Sequence, residues 1–346
     1  MQLTARFSKP DSLPLGPLTR NRASQSRRVL CLCVALFLTF ASALAHAQDY
    51  TSIVVFGDSL SDTGNFADLT QAKYLVRIPG PDADYTDGRF TDGDDTLPAA
   101  QKYFGVWIEQ FAAMLPSKPR ITSSLDGGTN YAYGDAKTGK GTSTVTFGPS
   151  NSLSVNVNNI GQQVNDYLAS TPAISDKTLF AVWGGANDVL DATSPGDVVK
   201  GVIAELTNIQ YLIDAGATQF LIPNLPPLGS TPSFNGLPAD GVAATAASVL
   251  YNRLLAEGLL VLRDINRRKH VRLIQLDVFS LFNQIIATPS KYSLTDVNTS
   301  AQGLATIDPD TYLFWDDLHP TTRGHNIVAV TALAAFSAVT CGLPCK

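Results

Sequence analysis

Residues 53–65 read IVVFGDSLSDTGN. Four apolar residues run without a polar break into Gly57, Asp58 and Ser59. A strand that is apolar at every position is buried on both faces, the pattern of a parallel sheet covered by helices on each side. The polar residues that follow then fall at the carboxyl end of that strand, where open α/β sheets bind ligands. Working outward, three more apolar runs have strand character: 178–183 (TLFAVW), 219–223 (QFLIP) and 271–276 (VRLIQL). Between the first two of these, Val199, Val202, Ile203, Leu206, Ile209 and Ile213 precede the QFLIP run at helical spacing. A long Leu- and Ala-rich helix is predicted over 243–265. A last helix is predicted over 321–338, behind Pro320, a residue suited to a first helical position. Strands alternating with helices call for a parallel sheet between two helical layers. The stretches 66–105, 134–153 and 289–313 show no clear period and read as long loops, which are often functional.

The chain has 346 residues, 45% of them hydrophobic and 16% charged, enough for one large domain. Its N-terminus stands apart. Arg20, Arg22, Arg27 and Arg28 precede an uncharged apolar run over 29–40, then small residues ending Ala45-His46-Ala47. Basic segment, short apolar core and A-x-A site are the layout of a secretory signal peptide, and the run is short for a membrane span. The expectation is therefore a signal over 1–47, one domain over 48–346, and a secreted or periplasmic protein. Six of the 25 basic residues and one of the 30 acids lie in the signal, so the formal charge moves from −5 to −10 without it. An acidic chain with no basic stripe excludes nucleic acid as the expected partner. Cys31 and Cys33 leave with the signal, and Cys341 and Cys345 are expected to close a small terminal disulfide.

Chemistry-bearing residues follow the strands. Gly57-Asp58-Ser59 ends the first and Gly184-Gly185-Ala186-Asn187-Asp188 ends the second. Before the last helix comes Phe314-Trp315-Asp316-Asp317-Leu318-His319-Pro320. A serine hydroxyl needs an adjacent base, and the base needs an orienting group. Asp316 and His319 stand three apart, so in one tight turn the carboxylate can accept from Nδ1–H and leave Nε2 facing outward. Alone, that spacing reads equally as an ordinary charged turn. His270 lies in a basic run and reads as a solvated helix end; His325 lies within the last helix and reads as packing. An oxyanion needs donors. Ser59 is expected to open a helix and so to carry a free N–H, and Asn187 offers a side-chain amide just past a buried strand. Gly134, in Asn130-Tyr131-Ala132-Tyr133-Gly134-Asp135, offers a backbone N–H at a position where chain can approach substrate closely.

Together these blocks resemble the GDSL, or SGNH, hydrolase family of esterases and lipases, in its exported bacterial, phospholipase-like branch. The resemblance rests on FGDSLSDTGN with Ser59, NYAYGDAKTG with Gly134, GGANDV with Asn187 and DDLHP with Asp316 and His319, in that order. IPNLPPLGSTP (222–232), GRFTDG (88–93) and VWIEQFA (106–112) extend it across 50–340. The resemblance implies a flavodoxin-like three-layer α/β/α fold with five parallel strands. It implies a Ser59-His319-Asp316 triad and an oxyanion hole from Ser59, Gly134 and Asn187. Two departures stand out: Asp135 where relatives often carry a second glycine, and an insertion at about 94–105. The G-x-S-x-G elbow of the commoner α/β-hydrolases fails at Ser61.

Asp82, Asp84, Asp87, Asp92, Asp94 and Asp95 cluster in the first long loop but miss the spacing of a calcium loop, and they read as a solvated acidic segment. No cofactor or metal is expected. Tyr74, Tyr85, Phe90, Tyr103 and Phe104 are candidates for an acyl or aryl pocket, while the spacing of Trp107 and Phe111 reads as core. The expected activity is hydrolysis of lipid or short-acyl carboxylic esters through an acyl-enzyme. Acyl transfer or (lyso)phospholipase action by the same triad is the alternative. Carbohydrate deacetylation, or binding without turnover, is a more distant one. A monomer making transient contact with a membrane surface is expected.

Overall fold

The computed structural model describes residues 49–93, 103–170, 173–304 and 306–340. Both the signal-like segment and the Cys341–Cys345 pair lie outside them. The first strand, β1 (Ser52–Gly57), is followed by helix α1 (Asn65–Tyr74), helix α2 (Trp107–Met114) and a hairpin of β2 (Thr142–Phe147) and β3 (Leu153–Asn158). Then come α3 (Ile160–Ala169), β4 (Thr178–Trp183), the short α4 (Ala186–Leu190), α5 (Pro195–Asp214), β5 (Gln219–Pro223), α6 (Pro238–Ile265) and β6 (Arg272–Leu276). The chain ends with α7 (Val278–Ala287), the small pair β7 (Asp296–Ser300) and β8 (Tyr312–Phe314), and α8 (Thr322–Thr340).

Four strands form a parallel sheet in the order β1-β4-β5-β6. The expected fifth position exists on the free side of β1, but as irregular chain. Val55 N–H donates to Thr129 O (3.0 Å), Tyr131 N–H to Val55 O (2.8 Å) and Tyr133 N–H to Gly57 O (3.3 Å). Asn130 explains the irregularity. Its amide donates to Ser61 O and its side-chain oxygen accepts from Ala132 N–H, so the side chain competes with a regular ladder. Counting this segment, the order is that of a flavodoxin-like sheet, whose switch point lies between β1 and β4.

Alternation along β1 sends Ile53 and Val55 to one helical layer and Val54 and Phe56 to the other. The first layer packs Trp107, Ile108 and Phe111 of α2 and Ile327, Val328 and Phe336 of α8. The second packs Val164 of α3, Ile209 and Leu212 of α5, and Tyr251 and Leu255 of α6. Truncating a fully buried aromatic such as Trp107 or Phe111 to alanine costs roughly 3–5 kcal/mol. By length and composition α6 passes as a membrane span, yet Tyr251, Leu255, Leu259 and Leu262 make a buried stripe against the sheet.

Three expected loops contain structure. Helix α1 lies in the first, the β2–β3 hairpin in the second and the β7–β8 pair in the third. Pro320 does not open the last helix. Thr321 Oγ1 accepts from Gly324 N–H, and the buried Asp92 carboxylate accepts the N–H and hydroxyl of Thr322. Asp92 therefore leaves the solvated acidic set; Asp87 instead pairs with Arg77.

Candidate active site

Gly57 closes β1 at a point where a Cβ would lie 2.6 Å from Trp183 O of β4. Only glycine lets the two strands end this close, and the chain then leaves the sheet through Asp58 and Ser59. Ser59 does not open a helix, contrary to expectation. A single turn, with Ser61 and Asp62 N–H on Asp58 O, holds it, and α1 begins only at Asn65. The Ser59 N–H has no acceptor among the described residues.

Coming from β8, the 315–319 turn is closed by Trp315 N–H on His319 O (2.8 Å). Asp316 Oδ1 accepts the N–H groups of Leu318 (2.8 Å) and His319 (2.7 Å). Its Oδ2 lies 2.7 Å from His319 Nδ1. An Nδ1–H donated to this carboxylate leaves Nε2 with a lone pair. Nε2 stands 2.9 Å from Ser59 Oγ, which donates to it. Asp317 is exposed, and its main-chain carbonyl accepts from Ser233.

Charge distribution follows from burial and contact. Burial pushes the Asp316 carboxyl up, but the His319 charge and the bonds to the turn hold it well below the usual carboxylate range. Burial disfavours the His319 imidazolium, and Asp316, with Asp58 and Asp135 beyond it, overcomes this and raises the group. Desolvation pushes Asp58 up to about 7, against the pull of the Leu60 N–H bond.

Asn187 sits on α4, behind Gly185, whose φ of 97° suits glycine and whose Cβ would meet Tyr251. One amide hydrogen of Asn187 Nδ2 goes to Ala136 O (3.0 Å); the residue also borders the pocket with Ser59, Leu228, Phe282, Phe314 and His319. Gly134 departs from expectation: its N–H donates to Asp62 Oδ2 at 2.9 Å and is already spent. The next N–H, that of Asp135, has no acceptor among the described residues. Asp135 adopts φ 65°, the conformation a glycine would favour.

Sequence reasoning missed Asp62, which collects the N–H groups of Gly64, Asn65, Phe66 and Gly134. An acid three residues before a helix start is the signal that was available. Of the candidate aromatics, Tyr85 and Phe90 line a cleft of about 310 Å³ beside Asp316 and His319. Tyr103 instead accepts from Arg323, Phe104 is exposed, and Trp107 is core. His325 is buried, with Nδ1 accepting from Trp107 N–H, and His270 is exposed. No group of three or more His, Cys, Asp or Glu is arranged for a metal among the described residues.

Known proteins resemble this chain over most of its length. Residues 53–330 match the family described as GDSL-like Lipase/Acylhydrolase. An uncharacterized protein from the trpE-trpG intergenic region of Pseudomonas putida is 27% identical, over 88% of this chain and 51% of its own length. The phosphatidylcholine-sterol acyltransferase of Aeromonas hydrophila is 27% identical, over 79% of this chain and 72% of its own. Lipase 1 of Photorhabdus luminescens is 25% identical, over 86% and 52%. The chain thus spans about half the length of the first and third of these relatives. With the match covering the strands, the Ser59 turn and the Asp316–His319 turn alike, this chain belongs to the GDSL-like lipase/acylhydrolase family.

Proposed function

We propose that this chain is an exported serine hydrolase of carboxylic esters, formed by a single domain over 48–346 behind a signal peptide. Ser59 Oγ attacks the acyl carbon while His319 Nε2 takes its proton. Asp316 holds the imidazole in the right tautomer and stabilises the imidazolium that forms. Ser59 N–H and the free amide hydrogen of Asn187 stabilise the oxyanion. The third donor is Asp135 N–H rather than Gly134 N–H, since the latter is bound to Asp62. Collapse of the tetrahedral adduct breaks the bond to the alcohol oxygen, which leaves with the proton carried by His319. Water then attacks the acyl-Ser59 by the same route, releasing the acid and restoring the serine.

The observation that carries this reading is the unbroken relay from Asp316 Oδ2 through His319 to Ser59 Oγ, with links of 2.7 and 2.9 Å. Its test is labelling with a fluorophosphonate. Mass spectrometry is expected to find the adduct on Ser59; an esterase-active preparation with Ser59 unmodified would overturn it.

For the substrate, a lipid ester is favoured over a sugar ester. The catalytic pocket is walled by Leu60, Pro226, Leu228, Phe282, Phe314 and Leu318. On the same two segments, a groove of about 610 Å³ lies between Val189, Leu190, Phe234 and the alanines 243, 244, 246 and 247, with Thr193, Ser194 and Asp240 also on its wall. An acyl chain that extends past Asn187 would find mainly apolar surface there. The enzyme acts as a monomer that touches lipid surfaces transiently. Acyl transfer is the second reading, because a relative covering 79% of this chain is named an acyltransferase; adding an alcohol acceptor and assaying the ester product separates the two.

A further inference from the structure

The 77–93 segment is tied down far more tightly than a substrate loop requires. Arg77 spans Asp68 and Asp87, each at 2.6 Å. Thr86 and Thr91 pair through the backbone, and Thr86 Oγ1 donates to Asp92 O (2.7 Å). From this frame several contacts reach the 315–322 turn, and Tyr85 makes the one nearest the relay. Thr91 Oγ1 donates to Pro320 O (3.0 Å), Asp92 caps α8, and the Phe90 ring lies 5.0 Å from the His319 ring. The Tyr85 hydroxyl donates to Asp316 Oδ2 at 2.8 Å.

That last contact changes the chemistry of the relay. Asp316 Oδ2 serves two donors, Tyr85 O–H and His319 Nδ1–H, while Oδ1 serves two backbone N–H groups. Tyr85 has no equally good alternative: Gln302 Oε1 lies at 3.5 Å. Its ring stands edge-on to Trp315 at 6.0 Å. Burial, and then the Asp316 charge, raise the phenol well above its ordinary value, so it stays a donor throughout the working range.

We propose that Tyr85 is a positioning residue for the base, fixing Asp316 through its hydroxyl and drawing off part of the carboxylate's charge so that the carboxylate grips His319 less tightly. The proposal rests on the triad reading above. The other groups acting on His319 are Asp58 and Asp135, and His325 faces it from α8; none of these contacts Tyr85 Oη. Asp317 is the remaining acid near Tyr85. Without the Tyr85 proton, Oδ2 has only His319 Nδ1–H to bind, and the imidazolium becomes harder to deprotonate.

The test is Tyr85→Phe, with kcat and KM for a short p-nitrophenyl ester followed across pH. The expected result is a kcat lower by roughly tenfold near neutrality, with the acid limb of kcat/KM displaced upward by roughly half a pH unit. A turn that had merely loosened would weaken the Asp316–His319 bond and move the limb down, so an unmoved or lowered limb overturns the proposal. Replacing Tyr85 with 3-fluorotyrosine keeps the ring and strengthens the donor, and is expected to move the limb down from wild type; an upward move overturns it. Fluorophosphonate labelling of Ser59 in each variant separates this failure from a failure of the triad itself.

Discussion

Ser59 Oγ and His319 Nε2 meet at 2.9 Å although 260 residues separate them. Neither element alone sets the distance. Ser59 is fixed by the end of β1 against β4, and His319 by a turn held between β8 and α8. Both lie at the carboxyl edge of the sheet, where the order of the strands reverses and leaves a crevice. A 1 Å misplacement of reacting groups can cost roughly 10²-fold in rate, so on the proposed mechanism the tight 315–319 turn serves to keep His319 in register with Ser59.

Ser59→Ala removes the proposed nucleophile and little else, because the hydroxyl bonds only to His319 among the described residues. Hydrolysis of p-nitrophenyl acetate is expected to fall by roughly 10³-fold or more. The thermal midpoint is expected to stay within a few degrees, as one neutral hydrogen bond contributes about 1 kcal/mol. Retention of wild-type rate would exclude Ser59 as nucleophile.

Asn187→Ala tests the oxyanion donor. Loss of one such donor lowers kcat by roughly 10²–10³-fold with little change in KM. The same side chain bonds Ala136 O at 3.0 Å, so a stability loss of about 1 kcal/mol accompanies it. A variant that loses stability while keeping kcat would show Asn187 to be only a strut for the 134–139 segment.

Buried parallel strands announce themselves without any periodicity, and for that reason 178–183 and 219–223 match β4 and β5 to the residue. The segment beside β1 was illegible because Asn130 satisfies its own backbone neighbours instead of a ladder. Helix α1 was missed because Gly64, at its N-cap, offers no capping side chain, and the acid that serves instead stands further upstream at Asp62. The four blocks that carry the proposed site were legible through their order and local spacing. Tyr85 was read only as a candidate pocket aromatic, since its bond to Asp316 joins residues 231 apart. A glycine's freedom says nothing of which acceptor takes its N–H, so the bond from Gly134 to Asp62 was not legible in the sequence.

Glu205 offers a pH test of stability beneath the site. It is fully buried; Tyr251 donates to one oxygen, and the other has no partner among the described residues. Desolvation raises its carboxyl to about 8, against the pull of the Tyr251 bond. A group raised in the folded state contributes stability below its unfolded value, near 4.3, and loses it as pH rises towards the folded one. Glu205→Gln removes that loss. Its thermal midpoint relative to wild type is expected to climb steadily between pH 5 and 8 in matched melts. A difference that stays flat with pH would mean the carboxyl is ionised throughout.

Chain-length preference tests the lipid reading through the groove floor. Ala246 is exposed on α6 and lines the groove, so Ala246→Trp fills it without entering the core. Each methylene taken out of water contributes about 0.8 kcal/mol, and two displaced methylenes already cost roughly tenfold in kcat/KM. Rates on p-nitrophenyl acetate and butyrate are expected to be unchanged, since on this reading such short acyl groups do not extend to Ala246. Rates on decanoate and palmitate are expected to drop by tenfold or more. An unchanged profile would place the acyl chain in the cleft beside Tyr85 and Phe90 instead, and would make the alcohol the group that meets the alanine floor.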